Sequence, residues 1–301
     1  LKNDLIYFVA IALVHILNAL PRRLALMIGG FGGELWYLLD SKSRHMAEKQ
    51  LIYVLKLNAN DAKIYARASF QMIAKNLVDV ARMGQWTREY IENIVTVEGL
   101  ENLDQAYGEG KGVVALTGHI GNFELLAAWF ACCHRLKAAV IGRKLYDRRF
   151  DKILVAQRQK FNIENIATVA SPLSIMRVLA RGYALGVLLD QDSSNVQGYF
   201  ADFFGKKALT AAGPILIARK TGSPVVPMAI YRTNDDKFHI RIRPRLQFEW
   251  TEDRNNDMIE ALTKCNRALE ELIGYEPLQW AWVHNRWRHR PPGEKEAKTG
   301  N

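Results

Sequence analysis

The feature that most restricts the fold is a rhythm in the middle of the chain. Short unbroken apolar runs occur at Gly112–Thr117 (GVVALT), Lys137–Ile141, Leu185–Leu189 and Val225–Ile230. Between them lie stretches of helical periodicity at Asn122–Cys133, Asp147–Phe161, Pro172–Arg181 and Ala208–Thr221. Brief runs with no polar face read as strands buried on both sides, and strands that alternate with helices build an α/β domain. The expected architecture is therefore a central mixed sheet flanked by helices. A further run, Phe238–Phe248 (FHIRIRPRLQF), alternates apolar and polar residues and reads as a strand with one face in solvent. Helices are expected over Asp61–Met83, where Asp61 can cap the start, and around Met258, Leu262, Cys265, Leu269 and Leu272.

The first forty residues have a different texture. Leu5–Leu20 carries no formal charge and is closed by Pro21-Arg22-Arg23. A second apolar stretch, Leu24–Leu39, contains Gly29, Gly30, Gly32 and Gly33 and one acid, Glu34. The glycines have neither the spacing nor the preceding strand of a nucleotide loop. A spanning helix needs about 20 apolar residues, so the first run is slightly short. Residues 4–39 read as membrane-anchoring or interfacial helices, with Arg22, Arg23, Lys42 and Arg44 at the headgroups. A buried helical hairpin is the alternative.

Lys+Arg 41 against Asp+Glu 31 leaves a net charge of +10, which favours an anionic partner. The 3 cysteines, Cys132, Cys133 and Cys265, form no C-x-x-C and no disulfide framework, so a stapled secreted fold is excluded and the compartment reads as reducing. No G-x-S-x-G elbow, H-E-x-x-H or clustered ligand set points to a serine hydrolase or a metal site.

The most informative segment is Thr117-Gly118-His119-Ile120-Gly121-Asn122-Phe123-Glu124. A buried strand ends, His119 follows at its carboxyl edge, and a helix begins near Asn122. Ligands of α/β sheets gather at that edge. Glu124 falls in the first helical turn, where the dipole favours a carboxylate. A histidine backed by an acid is a way to build a general base. Alone, H-x-x-x-x-[DE] is a weak signal: His289 and Glu294 match it as well, in a Pro-Pro-Gly tail with no strand before it, and read as a decoy. With no protein nucleophile and no metal, a His base implies that the substrate's own hydroxyl is the nucleophile.

GKGVVALTGHIGNFELLA resembles the active-site segment of the late acyltransferases of lipid A biosynthesis, within the wider H-x-x-x-x-[DE] glycerolipid acyltransferases. Other landmarks agree in order along nearly the whole chain: Gly142-Arg143-Lys144, Arg158, Leu189-Asp190-Gln191-Asp192, Phe203-Phe204-Gly205, Gly213-Pro214-Ile215, and a Q-W-x-W-x-H-x-R-W ending at Gln279–Trp287. The resemblance implies a membrane-anchored stretch over residues 1–40, a glycerolipid-acyltransferase-like domain over 41–290 and a polar tail over 291–301. It implies transfer of a fatty acyl chain from acyl carrier protein to a hydroxyl of a lipid A precursor at the cytoplasmic face of the inner membrane. His119 would take the proton and Glu124 would support it. Arg158, Asp190, Asp192, Arg143 and Asn122 are the implied assisting or substrate-binding residues. Asp190 would fix an arginine or a sugar hydroxyl. No metal or cofactor is implied; acyl-acyl carrier protein or acyl-CoA is the donor substrate.

Basic residues gather at Arg241/Arg243/Arg245 on one strand face, at Arg143/Lys144/Arg148/Arg149 and at Lys206/Lys207. Such groups suit acceptor phosphates, an acidic carrier or a bilayer surface. Trp280, Trp282 and Trp287 read as packing. The rival acceptors are another glycolipid, such as an acylated mannoside, or a lysophospholipid. The rival class is a nucleic-acid-binding protein, which the charge allows but which no RNP, zinc-finger or helix-turn-helix signal supports.

Overall fold

The computed structural model describes residues 2–142, 147–167, 171–192 and 197–294. Four helices come first: α1 (Lys2–Ala19), α2 (Arg22–Leu39), α3 (Ser41–Leu55) and α4 (Ala59–Arg82). Then follow α5 (Arg88–Ile94), β1 (Val95–Glu98), α6 (Leu100–Tyr107), β2 (Val113–Thr117), α7 (Phe123–Cys132), β3 (Ala138–Gly142), α8 (Arg148–Lys160), β4 (Ile163–Ala167), α9 (Pro172–Ala180) and β5 (Ala184–Leu188). A hairpin of β6 (Gly198–Phe203) and β7 (Lys206–Ala211) precedes α10 (Gly213–Thr221), β8 (Val225–Arg232), β9 (Phe238–Ile242) and α11 (Arg254–Tyr275).

The main sheet has the strand order β1-β9-β8-β2-β5-β3-β4, and every pairing is parallel except β8 with β9. All five side chains of β2 and all eight of β8 are buried, as runs without a polar face require. One core layer lies on each face of the sheet. The first includes Leu116, Leu185, Leu262, Leu269, Trp280 and Trp282; the second includes Val113, Leu125, Phe130, Met228, Phe238 and Ile240.

Two strand expectations change in extent. The alternating run stops at Ile242, because Arg243-Pro244 cannot continue the ladder: proline has no N–H to donate. Ala208–Ala211, expected as helix, pairs instead with β6, and α10 starts only at Gly213-Pro214. β4 has mixed burial rather than a clean apolar run, which is why its pattern is silent.

The N-terminal stretch folds as a hairpin onto α4, and no helix among the described residues is long and apolar enough to cross a membrane. The expectation of membrane helices is thus not met as spanning segments. The glycines of α2 have a packing role. A Cβ at Gly33 would lie 2.6 Å from the Gln71 Cα, and one at Gly29 2.7 Å from the Val78 side chain. Both open the face on which the two helices touch. Arg22 donates to the buried Asp79 through Nε at 2.8 Å and Nη2 at 2.7 Å, and Arg232 of β8 reaches the same carboxylate at 2.7 Å. The outer faces keep large apolar side chains in solvent: Leu5, Phe8, Val9 and Ile16 on α1, and Met27, Phe31, Leu38 and Leu39 on α2.

The segment after α11 crosses the sheet edge as a strap. Gly121 N–H donates to the Gln279 carbonyl and Ala281 N–H to the His119 carbonyl, so residues 279–281 bridge to the turn after β2. Trp280 and Trp282 are buried, as packing residues should be. Arg286 is fully buried; its guanidinium donates to the Leu209 carbonyl at 2.6 Å and the Thr210 hydroxyl at 2.8 Å, and burial pushes its pKa down to about 10.

Candidate active site

The site follows from one register. β2 and β5 pair in parallel with Thr117 opposite Leu188, so the second residue past each strand end also faces its counterpart. Those residues are His119 and Asp190. The Asp190 carboxylate accepts the His119 backbone N–H at 2.8 Å through Oδ2 and meets the imidazole Nδ1 at 2.9 Å through Oδ1. Trp280 Nε1–H donates to Oδ2 at 2.7 Å. Gly118 is required here, because a Cβ would stand 3.0 Å from the Asp190 carboxyl carbon.

Asp190 is buried while His119 is about a quarter exposed. Burial opposes the Asp190 charge, but the imidazole, the indole N–H and the backbone amide outweigh it and hold the carboxyl down at about 2. A carboxylate at Nδ1 accepts the hydrogen bond of an Nδ1–H, which leaves the Nε2 lone pair for a substrate. Nε2 has no hydrogen-bond partner among the described residues.

Glu124 is not behind His119. It turns to Arg158 of α8, which donates through Nε at 3.0 Å and Nη2 at 2.5 Å, while Nη1 donates to Asn165 of β4. The expected His119–Glu124 contact is therefore replaced by two pairs, His119–Asp190 and Glu124–Arg158. Asp190 fixes a histidine rather than an arginine. Asn122 is buried and caps α7 by accepting the Leu125 N–H at 3.1 Å, while its Nδ2 has no partner among the described residues. Arg143 and Lys144 lie outside the described residues.

Asp192 repeats the geometry of Asp190. It accepts the His289 backbone N–H at 2.9 Å and holds the His289 Nδ1. Its own N–H donates at 3.0 Å to Nε2 of His284, whose pKa burial lowers, so that ring is an acceptor. The decoy histidine is thus a structural partner of the second D-x-D acid. The H-x-x-x-x-[DE] spacing could not show this; Gln279–Trp287 was the available signal, since its Trp280 and His284 both reach the D-x-D loop.

A partly enclosed cleft of about 60 Å³ runs between the sheet and α7. Small residues of three neighbouring strands, Ala115, Ala138 and Gly186, make room for it, and Leu126, Phe130 and Met228 close it. Among the described residues, Glu124 and Arg158 are its only ionisable lining groups, and the buried Thr117 hydroxyl in its wall has no partner. Phe123 lines the cleft and stands 5.1 Å from the His119 ring, so imidazole and cleft share a wall. Its apolar lining suits an apolar ligand or chain.

The strand-borne arginines are paired within the chain. Arg241 meets Glu98 at 2.9 Å and lies over the Tyr275 ring, Arg243 meets Glu271 at 3.5 Å, and Arg245 pairs with Glu109. Arg149 meets Asp147 at 2.6 Å and Asp4 at 2.8 Å. No group of three His, Cys, Asp or Glu side chains suited to a metal ion occurs among the described residues.

The sequence profile of the bacterial lipid A biosynthesis acyltransferases matches residues 2–289. The lipid A biosynthesis palmitoleoyltransferase of Escherichia coli is 24% identical over 228 residues, 75% of this chain and 72% of that protein. The E. coli lipid A biosynthesis lauroyltransferase is 22% identical over 230 residues, 75% of this chain and 72% of its own length. The phosphatidylinositol mannoside acyltransferase of Mycolicibacterium smegmatis is 22% identical over 295 residues, 95% of this chain and 92% of that protein. An oriented histidine beside an apolar cleft suits acyl transfer, and with this match along its length the chain belongs to the bacterial lipid A biosynthesis acyltransferase family, whose members are acyl-transferring enzymes.

Proposed function

We propose that the chain transfers a fatty acyl group from a carrier thioester to a hydroxyl of a phosphorylated glycolipid, a lipid A precursor, with His119 as general base. The observation that carries this reading is the His119 imidazole held by Asp190 beside the apolar cleft. Nε2 takes the proton of the acceptor hydroxyl as its oxygen attacks the thioester carbonyl. The C–S bond then breaks, an ester C–O bond has formed, and the imidazolium returns its proton to the leaving thiolate. Asp190 stays ionised and steadies the imidazolium between the two transfers. The cleft receives the acyl chain. The Glu124–Arg158 pair fixes the N-terminal turn of α7 against α8 and sets the charged end of the cleft; it moves no proton.

Acyl carrier protein is the proposed donor carrier and the inner-membrane surface the proposed site of action. The exposed apolar faces of α1 and α2 support an interfacial contact that dips into one leaflet without crossing it. A second reading keeps the chemistry and changes the acceptor to an acylated mannoside lipid; the match over 95% of the chain to a mannoside acyltransferase supports it.

Mass spectrometry of lipids after incubation with acyl-carrier donors and a panel of acceptors tests both. Wild type is expected to add one acyl mass to the lipid A precursor, and His119→Ala to lower that rate about 10²–10⁴-fold. Addition to the mannoside alone selects the second reading. Equal activity in His119→Ala and wild type removes both.

A further inference from the structure

The turn between β6 and β7 brings together cations that the carboxylates of the described residues neutralise only in part. Lys206 Nζ lies 5.2 Å from the centre of the Tyr53 ring and Lys56 Nζ 4.7 Å from the same centre. Arg290 reaches this turn from the strap and donates through Nη1 to the Lys207 carbonyl at 2.9 Å, while its Nη2 pairs with Glu294. Lys207 already meets Asp202 at 3.0 Å. By contrast, none of Lys206, Lys56 and Lys49 has a carboxylate in ion-pair range among the described residues. Burial first, then the nearby charges of Arg290 and Lys49, pushes the Lys206 pKa down. Like charges are thus held close at a cost that a bound anion would relieve.

The cluster is tied to the candidate active site by two routes. Phe203 and Phe204, which lead into the turn, pack on Trp280 at 5.7 and 6.5 Å, and Trp280 donates to Asp190. His289, the neighbour of Arg290, is held by Asp192, two positions beyond Asp190. Tyr53 stands edge-on to Trp287 at 5.5 Å, and the buried Trp287 indole N–H has no partner.

We propose that Lys206 and Lys56, gathered on Tyr53, and Arg290 at the same turn bind a phosphate group of the acceptor headgroup and so set which of its hydroxyls meets His119. The convergence of several cations on one small patch favours a compact multivalent anion, since phosphate oxygens accept several charge-assisted bonds at once. A carrier-protein helix would instead need cations spread along an exposed face. The inference rests on the reading of the acceptor as a phosphorylated glycolipid.

Binding is read without catalysis, by ³¹P NMR titration of the purified chain with inorganic phosphate and with a hexose 1-phosphate. Saturable binding is expected in wild type, about tenfold weaker in Lys206→Gln and in Arg290→Gln. Lys207→Gln should match wild type. Unchanged affinity in Lys206→Gln, or an equal loss in Lys207→Gln, overturns the assignment. In the transfer assay, Lys206→Gln should raise the acceptor KM about tenfold and leave kcat and the donor KM alone. Phosphatase treatment of the acceptor should erase that difference. A rise in donor KM instead makes the patch a carrier dock and sinks the proposal. Phosphate that binds but does not compete with the phosphorylated acceptor does the same. Phosphate binding lost in Lys206→Gln, without acyl transfer to any glycolipid, would keep the site and reject the proposed function.

Discussion

Asp190 stays ionised although its surroundings exclude water, and the three donors that hold it are also what position His119. Its folded pKa of about 2 lies below the ordinary 3.8. A depressed carboxyl stabilises the fold fully above the unfolded value, and that contribution is lost as pH falls through the folded one. Denaturant titrations of wild type should therefore show stability falling between about pH 4 and pH 2, and Asp190→Asn should flatten that limb. Asp190→Asn should also lower kcat, because the His119 imidazole loses the carboxylate that orients it. The Glu124–Arg158 pair permits a second test. Each side chain is nearly buried, so Glu124→Gln or Arg158→Gln alone strands its partner. A double-mutant cycle on thermal unfolding should return a coupling of about 1–3 kcal/mol, whereas additivity would make the pair ornamental. His119 was legible in the sequence because strand, glycine, histidine and helix start form one continuous phrase. Its partner was not, because 71 residues separate them and only the register of β2 on β5 brings them together. Local spacing favoured Glu124, but a helical side chain at that position points toward α8, where Arg158 waits.

At the scale of elements, the alternation of apolar runs and helices gave the strands that carry the site, because a strand buried on both faces leaves no other reading. The β6–β7 hairpin was hidden behind an alanine-rich run that fits either period, and β4 behind its mixed burial. The N-terminal helices show why hydropathy alone misleads: α1 and α2 are apolar on two faces, one against α4 and one in solvent. A fully apolar helix needs a bilayer, whereas this pair needs only α4 and a surface. Arg22 separates the alternatives. Deleting residues 1–20 removes α1 but keeps the Arg22–Asp79 contact, whereas deleting residues 1–23 leaves Asp79 with Arg232 as its cation. The longer deletion should cost about 1.5–3 kcal/mol more, the scale of a hydrogen bond to a charged group. Chemical denaturation of the two truncations measures it. Both should bind anionic phosphatidylglycerol vesicles more weakly in flotation, since both lose the exposed face of α1 and keep that of α2; undiminished flotation of both would remove α1 from the interfacial contact.

For the whole molecule, the path of the chain matters more than the count of its contacts. Every strand of the main sheet is complete by Ile242, yet His119 is not placed until the strap arrives: Ala281 caps its carbonyl, Trp280 reaches its acid, and His289 closes the same loop on Asp192. A chain stopped after residue 278 should therefore keep the far-UV signature of the sheet and lose acyl transfer, and adding a separate peptide of residues 279–294 should restore part of it. The same path has a consequence during translation. Ribosomes release the domain from its N-terminus at about 5–20 residues per second. The apolar helices emerge before the sheet and are free to settle on a lipid surface, while the last piece of the site leaves the exit tunnel only after every strand of the sheet has done so. A nascent chain whose strap is still in the tunnel is thus a sticky but inert passenger, and the capacity for acyl transfer is acquired in one step when residues 279–289 emerge.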